Sequence, residues 1–307
     1  MKKWLVVIHG PTASGKTSIA IRLALHYQTE IISADSRQFY KELNIGVARP
    51  SADELSAVKH HFIAFLSVEE PNSAGKFEQD ALATLDDLFQ THDIVIAAGG
   101  SGLYARALIH GLDDLPSDAA VRNELNALFE QHGIAPLQEE LLRVDPEYYH
   151  HADISNPRRV IRALEVCRIT GNTYSNLRKA AGGSREFGVL QLGLQADREW
   201  LYPRINQRVD DMVRMGLEQE AKAVYPHRAL TALQTVGYTE WFQCFDGQID
   251  SATAIGLIKQ HSRNYAKRQM TWYRSQPDIL WFDAKKEEQM LPEMIAVIDR
   301  NTGALSN

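Results

Sequence analysis

Short apolar runs recur along the chain, separated by longer stretches in which apolar positions follow a helical period. Five runs have the length and composition of buried strands: residues 4–9, 31–34, 94–98, 189–194 and 279–282. Helix signals follow each of the first three runs. Strands that alternate with helices form a parallel sheet covered on both faces. The pattern therefore predicts an α/β fold with a five-stranded parallel sheet.

Helix boundaries are marked by capping patterns. Ser51 with Glu54 makes a capping box, and Ser73 is expected to cap a helix that runs to about Gln90. A long helix is predicted from 198 to 224. The inward face of the helix after Ser73 is expected to carry Phe77, Ala81, Leu82, Leu85 and Leu88.

Between residues 115 and 185 the strand pattern disappears. Helices are predicted to begin near Ser117, Pro136 and Asn156, and Gly171 follows the end of the last one. A Gly-rich turn at 181–184 is expected to return the chain to the sheet. These signals predict a helical insertion at 115–187, between core segments 1–114 and 188–307.

Composition places the chain among ordinary globular proteins. It has 307 residues, 44% of them hydrophobic, and a formal net charge of −6. The apolar run at the start is too short for a signal peptide or a membrane span, which predicts a cytoplasmic protein with no membrane contact. Cys167 and Cys244 lie far apart with no Cys/His cluster, so we expect buried thiols rather than a disulfide or zinc site.

A glycine-rich octapeptide lies between the first predicted strand and the helix after it. Backbone N–H groups of such a loop converge on a phosphate, its lysine reaches the terminal oxygens, and its threonine can bind Mg²⁺. A pyrophosphate ligand is expected, with Thr17 as the magnesium ligand, although kinases, NTPases and some transferases share this loop. The predicted pyrophosphate site comprises Gly10, Pro11, Thr12, Ala13, Ser14, Gly15, Lys16 and Thr17.

Asp35 directly follows the second predicted strand. The carboxyl ends of parallel strands share one edge of the sheet, so Asp35 is expected beside the glycine-rich loop. The third predicted strand runs into Gly99, Gly100 and Ser101 without an acid. Asp35 is therefore the candidate site carboxylate, either for a metal or for a proton, and the alternative is a turn-capping aspartate.

Positive charge is concentrated in two segments. Residues 251–277 contain no Asp or Glu but five Lys or Arg side chains among aromatic residues, and four arginines surround Glu165 at 158–168. Two such clusters suggest a polyanion partner, whereas each alone is also typical of a solvated helix face. On the helix predicted from 198, Arg204 and Arg208 lie on turns next to Asp211, and an arginine of this helix is suited either to clamp a phosphate or to pair with Asp211.

Seven segments together resemble the bacterial tRNA dimethylallyltransferases, also called tRNA isopentenyl transferases. They are GPTASGKT (10–17), ISADSRQFYKELNIGVARP (32–50), AAGGSGLY (97–104), NPRRVIRALEV (156–166), RINQRVDDMVRMGLEQE (204–220), QTVGY (234–238) and AKRQMTWYR (266–274). The resemblance implies transfer of a dimethylallyl group from dimethylallyl pyrophosphate to the exocyclic amine of the adenosine 3′ to the anticodon. Its substrates would be tRNAs that read codons beginning with U, and the product would be isopentenyladenosine.

The same resemblance implies roles for individual residues. Asp35 would be the base, Arg208 and Thr12 would act on the leaving pyrophosphate, magnesium would be the cofactor, and the enzyme would be a monomer that binds the tRNA anticodon stem-loop. The target base would flip out of its stack. Implied tRNA contacts are Asp35, Ser36, Arg37, Gln38, Ser101, Arg122, Arg158, Arg159, Val160, Ile161, Arg162, Gln234, Thr235, Val236, Gly237, Tyr238, Thr239, Lys267, Arg268, Gln269, Met270, Thr271, Trp272, Tyr273 and Arg274.

Arg37 and Thr239 depart from the family pattern. Arg37 stands where an apolar residue is frequent and Thr239 where a basic one is, so Arg37 is expected to add a phosphate contact or to alter which bases are accepted. Two other functions remain open from the residues alone. A small-molecule P-loop kinase fits the loop, and a non-catalytic, nucleotide-gated RNA binder fits the basic clusters.

Overall fold

The chain divides into two compact units. In the structure, a computed structural model, residues 2–113, 115–178 and 185–304 are described. The core unit comprises Met1–Ile109 and Arg185–Asn307, and the helical unit comprises His110–Ser184. These bounds lie a few residues before the predicted 115–187. The turn predicted at 181–184 falls outside the described residues.

Within the described residues, the core unit contains one sheet of six parallel strands in the order β3-β2-β4-β1-β5-β6. The α/β class and the parallel pairing are confirmed. The expected count of five strands is wrong, because the extra edge strand consists of two histidines and has no apolar run. The strands are β1 (Trp4–His9), β2 (Ile31–Ser33), β3 (His60–His61), β4 (Ile94–Ala98), β5 (Gly188–Gln195) and β6 (Ile279–Asp283).

Helices separate these strands along the chain, and one follows the last strand. In the part of the chain that the structure describes they are α1 (Lys16–His26), α2 (Ala52–Ala57), α3 (Ala74–Leu88), α4 (Gly102–His110), α5 (Ala119–His132), α6 (Ala135–Val144), α7 (Pro146–His151), α8 (Pro157–Thr170), α9 (Tyr174–Arg178), α10 (Arg198–Met215), α11 (Leu217–Val224), α12 (Thr239–Phe245), α13 (Ser251–Arg274) and α14 (Glu287–Thr302). No described helix is long and apolar enough to cross a membrane.

The two faces of the sheet bury two separate apolar clusters. Val7 of β1 packs in one cluster with Phe77 of α3, and Ile8 packs in the other with Leu23 of α1 and Met294 of α14. Successive residues of a strand point to opposite faces, which explains the division. The buried sheet therefore holds the carboxyl ends of its strands at fixed positions.

Local capping chemistry sets several helix ends as expected. The Ser51 hydroxyl accepts a hydrogen bond from the Glu54 backbone at 3.2 Å, and the Glu54 carboxylate accepts one from the Ser51 backbone at 2.8 Å. Asp118, not Ser117, caps α5. The helix predicted from 198 to 224 is two helices, because Gly216 adopts the left-handed conformation (φ 103°) between α10 and α11.

The helical unit is built around α8. Val160, Leu164 and neighbouring apolar residues of α8 pack against Leu125 of α5 and Leu141 of α6. Both cysteines are free thiols, but only Cys167 is buried, whereas Cys244 of the core unit is half-buried.

Candidate active site

The glycine-rich loop connects β1 to α1 at the carboxyl end of the sheet. A Cβ atom on Gly10 would lie 2.9 Å from the Ser14 hydroxyl and 3.0 Å from the Leu194 Cβ, so a larger residue does not fit there. Gly15 has φ 90°, which favours glycine. Because α1 begins at Lys16, its unpaired N–H groups and positive dipole end lie at this loop, an arrangement that favours an anion.

Three cations lie along the loop. The Lys16 Nζ donates to the Pro11 carbonyl at 2.7 Å, Arg208 donates to the Thr12 hydroxyl at 3.4 Å, and Arg204 donates to the Ala13 carbonyl at 3.2 Å. Burial lowers the pKa of Lys16 to about 8; Asp35 opposes this shift and Arg208 adds to it. Burial also lowers the pKa of Arg208, again opposed by Asp35.

Arg208 contacts the glycine-rich loop and does not pair with Asp211. Asp211, the alternative partner, instead pairs with Arg214 and accepts a hydrogen bond from Gln207. The helix α10 thus turns Arg208 to the glycine-rich loop, where a planar guanidinium can bind phosphate oxygens.

Asp35 lies two residues after β2 and next to the end of β4. Its Oδ1 accepts a hydrogen bond from the Arg37 backbone at 3.1 Å, which is the turn-capping contact. A Cβ atom on Gly100 would lie 3.0 Å from Asp35 Oδ2. The carboxylate also interacts electrostatically with both Lys16 and Arg208. Asp35 thus caps a turn and lies close to the cations of the loop.

The three residues that follow Asp35 form hydrogen bonds with neighbouring loops of the core unit. The Ser36 backbone donates to the Ser101 hydroxyl at 3.0 Å, and the two hydroxyls are 2.9 Å apart. Gln38 donates to the Ala48 carbonyl at 3.0 Å. The Arg37 guanidinium donates to the carbonyls of Thr231 (3.0 Å) and Ala232 (2.8 Å), so it anchors the segment 231–234.

Two carboxylates hold the segment 234–239 in place. The Tyr238 side chain is fully buried, and its hydroxyl donates to Glu220 at 2.7 Å. Glu240 is 2% exposed and accepts hydrogen bonds from the Gly237 backbone at 2.8 Å and from His261 at 2.6 Å. Within this segment Gln234 is exposed, whereas Thr235, Val236 and Thr239 are half-buried.

On helix α13, the RNA contacts implied by the resemblance fall into an exposed group and a buried group. Lys267, Arg268, Thr271 and Arg274 are exposed, and within the described residues none of the three cations pairs with a carboxylate. The Trp272 ring lies against Gly102. Gln269, Met270 and Tyr273 are at most 9% exposed, so their side chains belong to the interior.

The arginines of the helical unit also fall into two groups. Arg122 and Arg162 both bind the fully buried carboxylate of Glu165, at 2.9 Å in each case. Arg158 and Arg159 are exposed and have no carboxylate partner in the described part of the chain. Val160 and Ile161 lie in the apolar core of this unit. We therefore keep the exposed residues as candidate RNA contacts and assign the buried ones to the interior.

The fold and the loop define an α/β protein with a glycine-rich turn lined by cations between its first strand and first helix. A family model described as IPP transferase matches residues 38–276. A tRNA dimethylallyltransferase of Christiangramia forsetii is 51% identical over 92% of this chain and 94% of its own length. A relative of the same name in Flavobacterium johnsoniae is 46% identical, with coverages of 92% and 93%.

Two solved structures resemble this one over nearly its whole length. The tRNA isopentenylpyrophosphate transferase of Bacillus halodurans has a TM-score of 0.71 at 34% identity and covers 99% of this chain and 98% of its own. A eukaryotic dimethylallyltransferase acting on tRNA has a TM-score of 0.80 at 25% identity, with coverages of 97% and 79%. The chain belongs to the IPP transferase family, that of the tRNA dimethylallyltransferases.

Proposed function

We propose that this chain transfers a dimethylallyl group from dimethylallyl pyrophosphate to the exocyclic amine of the adenosine 3′ to the anticodon. The observation that carries the proposal is the Asp35 carboxylate, which interacts electrostatically with the cations Lys16 and Arg208. One group can take a proton while the others bind a leaving anion. The names of the relatives, which identify tRNA dimethylallyltransferases, support the same reaction.

The donor would bind through its pyrophosphate at the loop 10–17. Lys16, Arg208, the Thr12 hydroxyl and the loop N–H groups would bind its oxygens. As the bond between the allylic carbon and the pyrophosphate oxygen breaks, negative charge grows on the leaving group. These fixed donors stabilise that charge where little water competes with them. Lys16 and Arg208 therefore favour ionisation of the allylic carbon.

The acceptor would place its amine beside Asp35. An adenine amine is a poor nucleophile because its lone pair is delocalised into the ring. As the nitrogen bonds to the allylic carbon, its proton would pass to the Asp35 carboxylate, so that no charged amine accumulates. Asp35 therefore acts as the general base in this proposal.

In this proposal Mg²⁺ takes most of its ligands from the pyrophosphate and water, and few from protein side chains. Within the described residues no three His, Cys, Asp or Glu side chains cluster as a metal site. Mg²⁺ ordinarily takes one or two protein oxygens and completes its shell with phosphate oxygens and water. Thr17, at the start of α1, would be the protein ligand, and the ion would supply further charge neutralisation.

Within each unit, exposed cations are candidate contacts for the anticodon stem-loop. In the core unit these are Lys267, Arg268 and Arg274 of α13, and in the helical unit they are Arg158 and Arg159. Phosphate contacts of this kind provide affinity and register, while unpaired loop bases provide specificity.

A transfer assay tests the proposal. Labelled dimethylallyl pyrophosphate, Mg²⁺ and an anticodon stem-loop with adenosine 3′ to the anticodon are compared with the same RNA carrying guanosine there. Label is expected on the adenosine RNA alone. Absence of transfer, together with ATP-dependent phosphorylation of a small metabolite, would favour a kinase instead.

The role of Asp35 is tested in single turnovers. Asp35→Asn keeps the size and the turn-capping oxygen but is not basic, so the chemical step is expected to slow by about 100-fold or more. The dissociation constant for the stem-loop should change little. A wild-type single-turnover rate in this variant would refute the assignment.

A further inference from the structure

The amide of Gln269 contacts two loops from the interior of the core unit. Its side chain is on α13 and is 6% exposed. The Gln269 Oε1 accepts a hydrogen bond from the Thr12 backbone N–H at 2.9 Å, and the Nε2 donates to the Gly100 carbonyl at 2.9 Å. One side chain thus joins the glycine-rich loop to the segment that follows β4.

Each of these two contacts leads to a different side of the candidate site. Thr12 belongs to the loop and its hydroxyl contacts Arg208, so it lies on the pyrophosphate side. Gly100 lies beside the proposed base: a Cβ atom built there would be 2.9 Å from Gln269 Nε2 and 3.0 Å from Asp35 Oδ2. Gln269 therefore lies between the leaving-group side and the base side.

Glutamine is suited to this position because its planar amide presents an acceptor and a donor together. Glutamate can accept from Thr12 but, when ionised, has no proton for Gly100. Methionine fills a similar volume and does neither. A buried N–H that loses its hydrogen-bond partner is destabilising, so Gln269 fixes the Thr12 backbone. The Gly100 carbonyl accepts from Gln269 and also from the Tyr265 hydroxyl at 3.1 Å.

We propose that Gln269 is a positioning residue that sets the spacing between the pyrophosphate-binding loop and Asp35. Its role is not a contact with RNA, even though the family resemblance places it within an RNA-binding segment. The inference rests on the proposed transferase function. Reacting groups that are misplaced by about 1 Å lose on the order of 100-fold in rate.

Three variants test this role: Gln269→Met, Gln269→Glu and, as a matched control, Gln260→Glu at an exposed position of the same helix. Single-turnover transfer at saturating donor, stem-loop binding and the pH–rate profile are measured for each. Gln269→Met is expected to slow transfer about 30- to 100-fold while stem-loop affinity stays within about twofold. Gln260→Glu should match the wild type.

Gln269→Glu supplies a readout that a structural role would not move. Gln269→Glu places a second carboxylate beside the proposed base, and like charges disfavour ionisation. The acidic limb of the pH–rate profile should therefore shift to higher pH in Gln269→Glu and not in Gln260→Glu. If Gln269→Met does not fold, the rate of Gln269→Glu at its own pH optimum decides, because this variant keeps the acceptor for Thr12 and loses the donor to Gly100. A wild-type rate there would overturn the inference.

Other outcomes would overturn the inference. Loss of stem-loop affinity with an unchanged rate would make Gln269 an RNA contact, and a wild-type rate with an unshifted limb would remove any positioning role. A wild-type protein that transfers no label would instead refute the proposed function. Calorimetric titration with inorganic pyrophosphate then still tests the Thr12 contact, because Gln269→Met should bind this anion more weakly than Gln260→Glu does.

Discussion

Two groups of cations with similar charge in sequence, one on α8 and one on α13, differ in what they contact. Arg158 and Arg159 of α8 belong with the α13 group, because they are exposed and have no carboxylate partner among the described residues. On α8, Arg162 binds the buried Glu165, and Arg168 binds Glu124 and Glu140 at 2.8 and 2.7 Å. On α13, the exposed cations at 267, 268 and 274 have no carboxylate partner among the described residues. Only the second arrangement leaves charge free for a polyanion.

This difference shows why a count of cations does not measure a binding surface. A guanidinium that already has a bidentate carboxylate partner contributes to stability, and its charge is neutralised locally. A cation without such a partner releases counterions when it binds a phosphate, which gives affinity and a dependence on salt. The two kinds of arginine therefore make opposite predictions for stability and for RNA binding.

The largest expected effect is on stability. Arg162→Ala removes the contact with Glu165 and two further bonds to the carbonyls of Leu115 and Pro116. We expect a loss of about 2 kcal/mol in the free energy of unfolding, below the roughly 3–5 kcal/mol of a fully buried pair because Arg162 is partly exposed. Urea denaturation measures this change in the free energy of unfolding. Arg159→Ala is the matched control, with an expected change of under about 0.5 kcal/mol.

The same pair gives a pH dependence with a defined sign. Burial raises the pKa of Glu165, but hydrogen bonds from Arg162 and Arg122 outweigh burial and hold this pKa below its usual value. The stabilisation is therefore present above the unfolded-state pKa and is lost as the pH falls through the folded-state value. In Arg162→Ala, the free energy of unfolding should therefore fall less steeply as the pH is lowered. Equal losses in Arg162→Ala and Arg159→Ala at every pH would contradict the distinction.

The next effect is on RNA binding. The double variant Lys267→Ala/Arg268→Ala should weaken stem-loop binding on the order of 20-fold at low salt and reduce the slope of log K against log salt by about 2. Arg300→Ala, at an exposed site on α14, removes one charge elsewhere and should leave the slope unchanged. Isotherms identical to wild type across the salt range would reject the α13 surface.

A buried cation gives a third case, in which the partner is the substrate anion. Because burial lowers the pKa of Lys16 to about 8, the lysine is charged at pH 7 and largely neutral at pH 9. The affinity for inorganic pyrophosphate should therefore fall about tenfold across this interval. Lys16→Arg stays charged and corrects for ionisation of the ligand. Calorimetry measures the pyrophosphate affinity of both proteins against pH. If the profiles of the wild type and Lys16→Arg are parallel, Lys16 does not titrate in this interval.

Features that depend on neighbouring residues were predictable from the sequence. The capping box of Ser51 and Glu54 is confirmed, as are the Asn156 cap of α8 and Gly171 after its end. The strands β1 and β4 have the predicted bounds, since continuous apolar runs mark strands buried on both faces. The strand β3 was missed because its edge position needs no apolar run.

Features that depend on distant residues were not predictable. Thr12 and Gln269 lie 257 positions apart, and no periodicity relates them. The choice of Arg208 between Thr12 and Asp211 likewise depends on how α10 packs against the loop. Glu220 accepts hydrogen bonds from Tyr238 and from the backbone of 44–46, and no local sequence pattern predicts these contacts. Tertiary packing decided each of these contacts.

The smallest expected effect concerns Arg37, an arginine that from sequence suggested a phosphate contact. Its guanidinium binds backbone carbonyls of 231–234, so it resembles Arg162 more than Lys267. Arg37→Leu should raise the KM for the stem-loop about threefold by loosening this segment, while the salt slope stays at its wild-type value. Steady-state kinetics measure the KM for the stem-loop, and binding at several salt concentrations measures the salt slope. A slope reduced by about 1 would instead make Arg37 a phosphate contact and move it to the group of α13.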